Sequence, residues 1–285
     1  MRIWLSRISV AIGVAVAAIA PAHAADAKPV RIVSLNLCAD QLLIALAERR
    51  NIASVTYFAA KPEYSPNADQ AKGLRVNYGQ AEEIIPLKPD LVFAGRFSAR
   101  ATVGILRKLG YPVVEIPVVR SMRDVRRNVR LVARAIGERA RGEALIASFD
   151  ARLKAIARGQ SARRPVAAIY WVRGNTAGAG TLMGAIVEQA GFVNLARRLG
   201  ISGTATLPLE TLLSSPADAL VLASTSGDPP SLATEALTHP ALARLIRTRP
   251  TVAMSSQLWS CGSPSVTDAI AKLAALRRKV IAGRR

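Results

Sequence analysis

The sequence predicts an α/β protein of two lobes, each with a parallel sheet flanked by helices, joined by one long connecting helix. Three observations predict it. Short β-branched runs alternate with amphipathic helical segments from residue 31 to residue 116, the pattern of a parallel sheet with helices on both faces. The same alternation starts again at residue 166 and runs to the end of the chain. Between the two stands a stretch with helical spacing and no strand.

The first element is an export signal over residues 1–24. Arg2 and Arg7 give a basic start, Ile8 to Ala20 is an unbroken run of 13 small and apolar residues, and Pro21 precedes Ala22-His23-Ala24, an A-x-A cleavage site. Such a run falls short of the ~20 residues that span a bilayer. No later stretch reaches that length without a charge, and no Cys follows the run to carry a lipid. Cleavage after Ala24 leaves one His, His239, and two Trp.

In the mature chain Arg31–Leu35 is a buried-type strand and Asp40–Glu48 a helix with Leu42, Leu43 and Leu46 on one face. Ile52–Phe58 is a second strand, Ala81–Leu87 a short helix ending before Pro89, and Asp90–Ala94 a third strand closed by Gly95. Thr102–Leu109 is a helix stopped by Gly110, and Pro112–Ile116 a fourth strand. These make an N-terminal lobe over 30–120. A helical connector follows over 121–164. Ser121 and Asp124 have capping-box-like spacing, and Val125, Val129, Val132 and Ile136 recur at helical intervals. Glu138–Ala157 is the long helix, a rod of about 30 Å, with Leu145, Phe149, Leu153 and Ile156 on one face. The C-terminal lobe, 165–285, has strands Val166–Trp171, Ala219–Ala223 and Thr251–Ser255. Its helices are Thr181–Ala190, Leu209–Leu213, Ser231–Leu237, Pro240–Ile246 and Ser265–Ala282.

Composition removes several functions. The 285 residues are 51% hydrophobic and 20% charged, which is globular. Two Cys exclude a disulfide-dense scaffold and a four-cysteine zinc site, and a single mature His suits neither a His-Asp-Ser triad nor a two-His metal site. No resident metal or cofactor is expected. The net charge of +20 permits nucleic-acid binding, but the chain carries no helix-turn-helix or RRM-like pattern and an export signal opposes it, so no nucleic acid is expected. The turn Gly174-Asn-Thr-Ala-Gly-Ala-Gly180-Thr-Leu-Met-Gly184 is not G-x-G-x-x-G and has no acid-tipped strand about 20 residues on. It reads as a cleft-edge turn.

In open parallel sheets a ligand sits outside the carboxyl ends of the strands. Asn36 and Cys38 follow the first strand, Tyr57 and Phe58 end the second, and Arg96 and Phe97 follow the third. In the second half Trp171 ends one strand, with Arg173 just beyond, while Trp259, Ser260 and Cys261 follow the last. Aromatic walls, a few polar groups and an Arg suit a flat or macrocyclic ligand; Trp171 and Trp259 serve equally well as core fillers. Arg96 and Arg173 can hold an anionic ligand by bidentate hydrogen bonds, or stand as solvated surface charges. Cys38 and Cys261 can form one disulfide, crossing from lobe to lobe, or remain thiols able to bind a soft metal or haem iron; sequence leaves this open.

Over about residues 30 to 282 the chain resembles the periplasmic binding proteins of iron–siderophore, haem and cobalamin ABC importers. The marks are RIVSLNLCADQLLIALA, QAEEIIPLKPDLVFAG, the LGYPVVEIP segment, GTLMGAIVEQAGFVNLA and LPLETLLSSPADALVL, in that order. The resemblance implies two lobes on a rigid helix, ligand in the cleft and little hinge motion. It implies docking to an ABC permease and its ATPase through one acidic residue per lobe. Glu82, seven residues before Pro89, falls at the first position, while Glu210, six before Pro216, is one residue short of the usual spacing. The expectation is a monomeric, non-catalytic periplasmic solute-binding component that captures an iron–siderophore, haem or corrinoid. The alternative is an exported enzyme on a similar two-lobe fold; the near absence of His and of paired acid/base groups opposes it.

Overall fold

The β-branched runs Ile32–Ser34 (β1), Ile52–Thr56 (β2) and Leu91–Gly95 (β4) are buried almost throughout, as strands must be when helices cover both faces of a sheet. The computed structural model describes residues 28–158, 160, 162–224 and 239–283. With Val76–Asn77 (β3) and Val113–Ile116 (β5), these strands form a five-stranded parallel sheet in the order β3-β2-β1-β4-β5. Helices α1 (Leu37–Leu46), α2 (Ala68–Ala71), α3 (Ala81–Ile84) and α4 (Arg100–Lys108) connect them.

A second parallel sheet, β11-β10-β6-β8, is built from Val166–Tyr170 (β6), Val193–Asn194 (β8), Ala219–Ser224 (β10) and Thr251–Ser255 (β11). Helices α7 (Leu182–Gln189), α8 (Leu195–Arg198), α9 (Leu209–Ser214), α10 (Pro240–Thr248) and α11 (Val266–Ala282) accompany it. His239 caps α10: its Nδ1 accepts from the Ala241 N–H. The glycine-rich segment differs from the expected loop. Asn175–Ala177 (β7) pairs antiparallel with Thr204–Thr206 (β9), and Gly178 is obligatory there because a Cβ would lie 2.0 Å from the Ile201 carbonyl oxygen. The strands of two residues, β3 and β8, are too short to show an alternation in sequence. The expected helix Ser231–Leu237 lies outside the described residues, as does the expected signal at 1–24.

Between the sheets run α5 (Met122–Ala135) and α6 (Arg139–Arg158). Ser121 Oγ caps α5 by accepting from the Asp124 N–H, and Asp124 Oδ2 accepts in return from the Arg120 N–H and the Ser121 hydroxyl. The two helices cross closely at Gly142, where a Cβ would lie 2.4 Å from that of Ala133. Their buried stripes are shared out. Met122, Val125, Phe149 and Leu153 pack into the core of the second sheet, whereas Val129, Val132, Ile136 and Ile146 pack into the core of the first. Each such side chain contributes roughly 1.5–3 kcal/mol of burial, so both helices are bound to both lobes.

Further links cross between the sheets. Cys38 in α1 and Cys261 before α11 form a disulfide with Cα atoms 5.1 Å apart. This resolves the alternatives that the sequence left open. Beside it the Ser263 hydroxyl donates to Gln41 Oε1 at 2.6 Å.

Candidate functional site

Three hollows join into one trough along the carboxyl ends of the two sheets. The first, about 610 Å³, lies over β1, β2 and β3. The second, about 380 Å³, shares Asn36 and Ser98 with it and reaches across to Ser260 and Gly262 of the other lobe. The third, about 700 Å³, shares Val118, Val119 and Ser260 with the second and runs along Ala177, Met183 and Gly203. Volumes of this size suit small-molecule ligands. The middle hollow sits where the strand order reverses, between β1 and β4, the place at which open α/β sheets take ligands. Gly95 lets β4 end there: a Cβ would lie 2.5 Å from Asn36 Nδ2.

The first hollow has an aromatic wall. Tyr57 stacks on Tyr78 with ring centres 5.0 Å apart and planes at 23°, Phe58 lies against Tyr57 at 3.8 Å, and Tyr64 meets Phe58 edge-on at 5.1 Å. Tyr78 is 65% exposed, and Phe97 at the middle hollow 74%. Large rings left this open within a concavity lose water when a ligand covers them, which favours a bulky partner with an apolar face. Arg100 adds a positive group on the same wall.

Behind the wall the polar groups are spent on the scaffold. Asn36 Oδ1 accepts from the N–H groups of Cys38 and Ala39, capping α1, and its Nδ2 donates to Ser98 Oγ at 3.3 Å. Asn77 Nδ2 donates to the carbonyls of Ser34 and Val55 and to Ser54 Oγ, tying β3 to the sheet. Asp40, fully buried in α1, accepts from the Thr56 N–H and hydroxyl at the base of the first hollow. Burial pushes its carboxyl up to about 7, against the hydrogen bonds from Ser34 and Thr56 that favour the charged form. The folded protein thus holds a proton that the unfolded chain releases near 3.8. The stability this contributes is complete below the unfolded value and is lost as pH rises through about 7. We expect urea unfolding to show wild-type stability falling between about pH 4 and about pH 7, by on the order of a few kcal/mol, and Asp40→Asn to flatten that slope.

The trough gathers Asn36, Tyr57, Cys38, Arg96, Phe97 and Trp259, six of the nine ligand residues read from the sequence. Cys261 is buried behind it in the disulfide. Trp259 is only 1% exposed and packs in the core of the second sheet, so it offers the third hollow an edge rather than a wall; its indole N–H has no partner among the described residues. Trp171 packs half-buried on the same core, and Arg173 is exposed in a turn with φ 59°; neither lines the trough. Tryptophans were the readable signal, yet the rings open to solvent are Tyr64, Tyr78 and Phe97. Tyr64 and Tyr78 escaped sequence reading because they sit in a loop and beside the two-residue β3. Glu82 in the first turn of α3 and Glu210 in the first turn of α9 are both exposed. Among the described residues no three His, Cys, Asp or Glu converge as a metal site, and no helix is long and apolar enough to cross a membrane.

A family model described as periplasmic binding protein matches residues 32–253. A cobalamin-binding protein of Halobacterium salinarum is 31% identical over 177 residues, covering 60% of this chain and 47% of that protein, so the chain spans about half the length of this curated relative. Among solved structures, the apo periplasmic haem-binding protein RhuT of Roseiflexus sp. RS-1 superposes with a TM-score of 0.70 at 24% identity, over 88% of this chain and 98% of that one. The periplasmic vitamin B12 binding protein BtuF of Vibrio cholerae gives 0.67 at 16%, over 89% and 98%. At such identities the superpositions speak to the fold. All three proteins are named for binding, none for a reaction.

Proposed function

Because this chain belongs to the periplasmic binding protein family, we propose that it is the solute-binding component of an ABC importer. It captures an iron–siderophore, haem or cobalamin-type ligand in the inter-lobe trough and hands it to a permease. The observation that carries this reading is the trough itself: three linked hollows reach from the Tyr57–Tyr78 stack of one lobe to the Met183 side of the other. The named ligands of the relatives, cobalamin and haem, are the size class such a space suits. The exposed positions of Glu82 and Glu210 support their role in permease docking, where two separated carboxylates fix orientation against arginines. The A-x-A site after an apolar run supports a secreted, periplasmic chain.

The test is to purify the mature protein and read any retained ligand by absorption spectrum and mass. Titration with cyanocobalamin, haemin and a ferric hydroxamate follows, with Trp fluorescence and calorimetry as readouts. One of the three is expected to bind at micromolar Kd or tighter, about 8 kcal/mol. Tyr57→Ala with Tyr78→Ala is expected to weaken it at least ten-fold by removing the stacking surface. Failure of all three to bind, or conversion of any of them, overturns the proposal.

A further inference from the structure

The solvent face of α5 carries a second feature, unrelated to the trough. Its buried stripe is Val125, Val129, Val132 and Ile136; its opposite stripe is Arg123, Arg127, Arg130 and Arg134, all exposed. The spacing of four, three and four residues sets them in a straight row about 16 Å long at 1.5 Å per residue. Arg126 and Leu131 flank the row and close a shallow groove of about 470 Å³.

Three carboxylates face these guanidinium groups. Asp124 pairs with Arg127 at 2.7 Å, Glu143 of α6 with Arg130 at 2.7 Å, and Asp150 of α6 with Arg126 at 2.6 Å. Arg123 and Arg134 close no ion pair among the described residues. The patch therefore keeps an excess of positive charge on a helix that both cores hold in place.

Resting on the importer reading above, we infer that this row is a docking surface for anionic phospholipid, holding the protein against the membrane that would bear its permease. A straight, regularly spaced line of arginines with no enclosed pocket matches a plane of phosphates rather than one small anion. Guanidinium forks bind phosphate oxygens bidentately, and juxtamembrane basic rows are drawn to anionic bilayers within a Debye length. The family whose model matches is described as periplasmic, and that compartment is bounded by membranes. Held there, it meets the permease by a search in two dimensions.

The test is co-sedimentation of the mature protein with vesicles of phosphatidylcholine alone or with a third phosphatidylglycerol, at low and at physiological salt. The fourfold variant Arg123→Gln, Arg127→Gln, Arg130→Gln and Arg134→Gln is compared with a control of equal charge loss, Arg75→Gln, Arg198→Gln, Arg247→Gln and Arg278→Gln, at exposed positions elsewhere. The expected result is binding that requires phosphatidylglycerol and weakens with salt, at least ten-fold weaker in the row variant and largely kept by the control. Equal loss in both variants would assign binding to net charge alone and overturn the inference. So would release of the vesicles by millimolar inorganic phosphate, which points to a soluble-anion site, or retention of DNA in preference to vesicles. The vesicle assay needs no trough ligand, so its outcome and that of the ligand titrations are read separately.

Discussion

Replacing Cys38 and Cys261 together by serine is expected to lower the unfolding free energy by about 2–4 kcal/mol. The bond closes a loop between residues 223 positions apart, and long loops lose most unfolded-state entropy when tied. The variant is still expected to fold. Ser263 keeps its bond to Gln41, and α5 and α6 keep their side chains in both cores. What it loses is fixed spacing at the middle of the trough, where Cys38 is a lining residue. Guanidinium unfolding of the oxidised protein and of the variant measures the first effect, and ligand titration of both measures the second. Free-thiol counting on the denatured, unreduced wild type should give none. Two thiols, or identical unfolding midpoints, would remove the bond from the account.

Glu82→Arg combined with Glu210→Arg is expected to abolish ligand uptake in cells that rely on this protein while leaving ligand affinity within two-fold, about 0.4 kcal/mol. Both carboxylates are exposed and enter no ion pair among the described residues, so neither holds the fold together. On the proposed docking role, reversing both charges sets arginine against the permease arginines that the proposal invokes, where like-charge juxtaposition costs several kcal/mol. Single reversals should each give an intermediate loss. The check is uptake of labelled ligand with each variant secreted at wild-type level, set beside affinity measured on purified protein. Undiminished uptake by the double variant would take both residues out of docking. Glu83, next to Glu82, makes a poor control: its Oε2 accepts from the N–H groups of Tyr78 and Gln80, and its loss would disturb the aromatic wall itself.

The architecture was legible wherever burial left a long signature. β6 lies over Val166–Tyr170, one residue inside the run read from the sequence, because all five of its residues are buried. The capping residue Ser121 was legible from its local spacing to Asp124. β3, β8 and the β7–β9 ribbon were not: two residues show no period, and Asn175–Ala177 and Thr204–Thr206 lack the apolar run that marks β1. The site divided along the same line. Asn36 after β1 and Tyr57 after β2 fell in the trough, whereas Trp171 after β6 did not. Aromatic size did not tell wall from core: Trp259 follows β11 yet turns inward, while Tyr78 stays open to solvent. Which way a ring turns depends on what packs behind it, and that is a long-range matter.

The division of the α5 and α6 stripes between the two interiors has a consequence for how the molecule comes into being. Neither half of the polypeptide inherits a sealed interior: an N-terminal fragment ending after the first sheet lacks Val129, Val132 and Ile146, and a C-terminal fragment starting at the second lacks Phe149 and Leu153. The halves are obliged to mature as one, around a shared beam. A folding chain keeps apolar surface open to water until both sheets have closed on that beam, and the bond from Cys38 to Cys261 locks the closed form.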